Sequence, residues 1–63
     1  MNDKDKAFYH GCAIILGSLA REHGMPAMAV DIMNCNGITF KHLVDSGAQA
    51  FDLDPLREEA VQP

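Results

Sequence analysis

The stretch that decides the fold is Ala7–Gly24, AFYHGCAIILGSLAREHG. Set at about 100° per residue, Ile15, Phe8, Leu19, Cys12, His23, Leu16, Tyr9, Ala20 and Ala13 fall on one continuous arc. His10, Arg21, Ile14, Ser18, Gly11 and Glu22 fill the other side. The arc covers about 160°, wider than the ~100° stripe of an ordinary surface helix, so it predicts a central helix touched by neighbours on more than one side. Along one edge run Ala13, Gly17, Ala20 and Gly24, a seam without bulky side chains that lets another helix come very close. Gly11 and Gly17 each weaken a helix by roughly 1 kcal/mol relative to alanine, a loss that close packing offsets. The seam either packs a second helix of the same chain or meets a second copy of it.

Outward from this helix, the signals stay helical. Asn2 or Asp3 can cap its start, Asp5 suits the positive end of its dipole, and Gly24 stops it, giving one long helix over about residues 4–23. Pro26 opens a second helix over about 26–34, with Met28, Ala29, Ile32 and Met33 at helical spacing, and Asn34-Cys35-Asn36-Gly37 breaks it. Thr39 caps a third at about 40–46, with Phe40, Leu43 and Val44 apolar and Gly47 as its stop. Asp54-Pro55 reads as the cap and first residue of a last short helix at about 55–60. No run alternates with period two over a strand-like length. The expectation is an all-α fold: a small bundle of one long helix and two or three short ones, forming one domain over residues 1–63.

Sixty-three residues bury only about 60% of the surface the unfolded chain exposes, which leaves a chain of this size marginally stable on its own. Small proteins commonly compensate with disulfides, a metal or a second subunit. The two cysteines, Cys12 and Cys35, make no secreted framework, and Cys12 lies within the helical apolar pattern as a small hydrophobe. The expected location is therefore the reducing cytoplasm, and the expected reinforcement is a homodimer. The longest apolar run, Cys12–Leu16, falls far short of the ~20 residues that cross a bilayer, and the polar start makes a poor signal peptide; no membrane association is expected. Net charge is −4, and all the excess lies after residue 44, where Asp45, Asp52, Asp54, Glu58 and Glu59 face only Arg57. That distribution lacks the basic stripe of a nucleic-acid binder.

The chemistry-bearing residues do not assemble into a motif. His10, Cys12, His23, Cys35 and His42 are possible zinc ligands. However, His10 and Cys12 point about 160° apart on a helix, and no Cys-x-x-Cys or His-x-x-x-His pair occurs. Asp52 with Asp54, and Glu58 with Glu59, are explained by capping and solvation rather than by acid-base chemistry. Neither catalysis, metal nor cofactor is expected. Residues 26–46 form a helix, a glycine turn and a second helix, so a helix-turn-helix DNA-binding regulator reading through 39–46 is the alternative function. Its candidate recognition helix offers Lys41 and His42 but no arginine, asparagine or glutamine for base edges.

From Ala7 to Arg57, the segments FYHG, LGSLAREHG, GITFKHLVDSGA and FDLDPLR resemble the small accessory proteins of bacteriophages and prophages. The resemblance implies a product of the bacterial host cytoplasm that acts by binding and diverting a larger host protein. It carries over no functional residue. The expected function is thus a non-catalytic protein-interaction module. Its candidate surfaces are the solvent-facing acidic residues Asp45, Asp52, Asp54, Glu58 and Glu59, and a second patch of His10, Ile14 and Arg21, where Ile14 is apolar on an otherwise polar side.

Overall fold

The small residues of the long helix turn inward. In the computed structural model, which describes the backbone of residues 1–61 and the side chains of residues 1–60, that helix is α1 (Asp3–Glu22), followed by α2 (Pro26–Cys35), α3 (Phe40–Asp45) and α4 (Ala50–Val61). The fold is all-α, with no strand among the described residues. Ala13, Leu16, Gly17 and Ala20 are the buried residues of α1, and α1 packs against all three other helices. The core they close with contains Ala29 and Met33 of α2, Ile38 of the connection, Leu43 of α3, and Leu53 and Leu56 of α4.

At Gly17 the approach is closest. A Cβ built there would stand 2.6 Å from the Asp52 carbonyl oxygen and 3.0 Å from its Cα, so only glycine lets α4 lie this close. The seam therefore lies within the chain, with one exception. Gly24 is exposed, has φ +62° and no described residue within reach of a Cβ beyond its chain neighbours. It ends α1 in the left-handed conformation instead of packing.

Caps fix the other boundaries. Asn2 Oδ1 accepts the Asp5 N–H at 2.8 Å, which starts α1. Past α2, Ile38 N–H donates to the Met33 carbonyl at 2.9 Å and Gly37 N–H to the Asn34 carbonyl at 3.3 Å, with Gly37 at φ +69°. This left-handed stop brings Ile38 back over Met33, and both are buried. Thr39 and His42 form a reciprocal cap on α3. Thr39 Oγ1 accepts the His42 N–H at 3.1 Å, and His42 Nδ1 accepts the Thr39 N–H at 3.0 Å. The imidazole does what glutamate does in the usual capping box, and its ring also stacks on Tyr9 of α1 at 4.6 Å.

α4 departs from the expected helix. It begins at Ala50, not Pro55, and Pro55 sits inside it. A proline there has no N–H for the carbonyl four residues back, that of Phe51, which makes an interior proline costly. Arg21 of α1 answers that carbonyl: its Nη1 donates to Phe51 O at 3.1 Å. The tertiary contact therefore supplies the hydrogen bond that the local sequence removes, and the helix extends one turn before its proline.

Candidate interaction surface

With the small residues inside, the bulky apolar residues on the far side of α1 stand in solvent. Ile15 is 71% exposed and Phe8 59%, both among residues 7–20, a stretch without a single Asp, Glu, Lys or Arg. The molecule measures 30 × 22 × 15 Å. Its short dimension accommodates about two helix layers at the usual 8–10 Å spacing, so once α1 has covered the other helices, none of the described helices remains to cover its far side. Large apolar side chains that stand together in water mark a contact surface.

The exposed apolar surface continues onto α2. Phe8, Cys12, Ile15 and Leu16 of α1, with Ile32 and Asn36 of α2 and its C-cap and then Ile38, line an open groove of about 340 Å³. On the other flank, Ile14, Ile15, Ser18, Leu19 and His23 line a second groove of about 370 Å³. Ile15 is thus a ridge between two apolar furrows, with Met28 also half in solvent on α2. Neither furrow gathers polar groups for chemistry. Among the described residues, no three His, Cys, Asp or Glu side chains converge to hold a metal ion, and no helix is long and apolar enough to cross a membrane. Cys12 is half-buried, Cys35 is exposed, and both are free thiols.

The residues expected to form binding patches separate. Arg21 is engaged from four directions: besides Phe51 O, it meets Glu22 Oε1 at 3.2 Å and Asp52 Oδ1 at 3.8 Å, and its guanidinium lies 3.8 Å from the Phe51 ring centroid. Asp52, expected to face solvent, is 8% exposed, because it sits in the first turn of α4 where that helix presses on Gly17. Arg21 and Asp52 therefore hold α1 to α4. His10 is half-buried and Ile14 exposed, the latter as part of the second furrow. Asp45 is exposed on α3, where the Lys41 ammonium at 2.6 Å hydrogen-bonds its carboxyl and holds it below the ordinary carboxylate value. On α4, Asp54 is exposed beside Arg57 at 3.5 Å, Glu58 is exposed, and Glu59 is half-buried. The acidic excess is spread over two helices instead of forming one patch.

For the DNA-reading alternative, α3 is six residues long, Lys41 is occupied by Asp45, and His42 by Thr39 and Tyr9. No observation favours that role. Sequence reasoning missed Phe8, Ile15 and Ile32 as surface residues, since it placed the first two on the arc assigned to the core. The available signal was the absence of charge from Ala7 to Ala20 on every side of the helix, which a helix with one solvated face does not show. Compared with family models, with curated proteins and with solved structures, the chain matches none.

Proposed function

We propose that this chain is a non-catalytic protein-interaction module that docks through the apolar face of α1 and α2. The observation that carries this reading is Ile15, 71% exposed within the charge-free stretch Ala7–Ala20 of α1 and between two apolar furrows. A face of this kind suits helix-in-groove recognition, in which apolar anchors at helical spacing supply the contact. The resemblance to phage accessory proteins makes the partner a larger protein of the bacterial host, whose activity the bound module modulates or blocks.

The test places a photoreactive amino acid at position 15, with position 58 on α4 as control, in bacterial cells. Adducts heavier than twice the chain's 6.9 kDa from position 15, and none from position 58, are the expected result. Heavier adducts from position 58 alone would move the docking face to the acidic helix and overturn the assignment.

A further inference from the structure

The outward line of α1 reads Lys4, Phe8, Gly11, Ile15, Ser18, Glu22, with spacings of four, three, four, three and four. That spacing keeps the six residues on one stripe of a helix, about 180° from the buried line of Ala13 and Ala20. The order is complementary to its own reversal. Turned end for end about the level of residue 13, Lys4 meets Glu22, Phe8 meets Ser18, and Gly11 meets Ile15. A positive group thus faces a negative one, and each large side chain faces a small one.

The glycine is the second observation. Gly17 is explained by the backbone of Asp52, whereas a Cβ on Gly11 would meet none of the described residues within 4 Å beyond its own stretch of helix. A mid-helix glycine costs roughly 1 kcal/mol against alanine, and none of the described residues requires this one. An isoleucine arriving from outside would.

We infer that a second copy of this chain covers the outward face of α1, with the two α1 helices antiparallel about a two-fold axis at the level of Ala13. The inference rests on the reading of that face as a docking surface and names its occupant in the free protein. In each copy Ile15 seats over the other's Gly11, and Phe8 over the other's Ser18. Two Lys4–Glu22 pairs close the ends; Lys4 and Glu22 are both exposed in the single chain, where Glu22 also meets Arg21 of its own helix at 3.2 Å. A parallel pairing sets Lys4 against Lys4, Phe8 against Phe8 and Glu22 against Glu22, so charge and size both select the antiparallel one. The contact is isologous, as in most soluble homodimers.

Solution mass by light scattering tests this on the wild type, Lys4→Glu, Glu22→Lys and the double variant. Both single replacements suit the dipole of α1, an acid at its start and a base at its end, and circular dichroism checks that each variant stays helical. The expected wild type is a dimer. Each single reversal turns two attractions into two repulsions and weakens the dimer about tenfold at low salt, and the double variant restores it. Gly11→Leu is expected to dissociate the dimer while improving the helix propensity of α1.

A wild type that stays monomeric, or a dimer indifferent to both reversals, overturns the inference. The two readings fail separately. Monomers whose position 15 still cross-links to a heavier protein lose only the second copy. A dimer obeying the charge rule without a heavier adduct loses only the larger partner.

Discussion

Gly17 and His42 carry the most at the scale of single residues, for different reasons. Gly17 is the point where α1 and α4 touch backbone to backbone, and a methyl group at 2.6 Å from Asp52 O cannot be accommodated by rotating a side chain. Gly17→Ala should therefore lower stability by about 1–3 kcal/mol in urea titration, as overpacking does, even though alanine is the better helix former. His42 closes the start of α3 and stacks on Tyr9. Its accepting Nδ1 requires the ring proton on Nε2. His42→Ala should cost about 1–2 kcal/mol, from the lost cap and the lost stack, whereas His42→Gln should keep the cap and lose only the stack. Thr39 was legible as an N-cap from its place before an apolar run. His42 was not, because the familiar pattern asks for glutamate or glutamine at that position.

Between elements, the joint of α1 and α4 decides the architecture. Arg21 donates to the carbonyl that Pro55 leaves without a helical partner and lies over the Phe51 ring. Arg21→Met should cost about 1.5–3 kcal/mol, the range for a hydrogen bond to a charged group. In a Pro55→Ala background the new N–H can serve Phe51 O, so the same substitution should cost measurably less. A thermal-denaturation double-mutant cycle reads that coupling, and equal costs in both backgrounds would contradict the joint. This is also why α4 was only half legible. Asp54-Pro55 is a sound local start signal, and only the arginine 34 positions earlier makes an interior proline tolerable. The other three helices were read within about a residue at each end, because their caps and glycine stops are local. Asp52 was misjudged along with α4: the first turn that was not foreseen is the part that presses it against α1.

At the scale of the molecule, 63 residues fold around a core of leucine, isoleucine and methionine side chains to which α1 contributes Ala13, Leu16, Gly17 and Ala20, while its Phe8, Ile14 and Ile15 remain outside. The apolar arc of α1 was legible in the sequence, but which part of it turns inward was not. Packing chose the edge carrying Ala13, Gly17 and Ala20, since closeness to three other helices gains more contact than bulk does, and Phe8 and Ile15 were left in solvent. Exposure differs widely among the four isoleucines: 71% for Ile15, 47% for Ile14, 40% for Ile32 and 8% for Ile38. They are therefore graded reporters of what covers the outward face. The measurement that bears most directly on the account is the attenuation of isoleucine methyl NMR signals by a soluble paramagnetic agent, across a dilution series. The account predicts that in concentrated protein Ile15 is as shielded as Ile38, and that it becomes the most attenuated of the four on dilution or in Lys4→Glu. An Ile15 signal attenuated most strongly at every concentration would show that face bare and contradict the account.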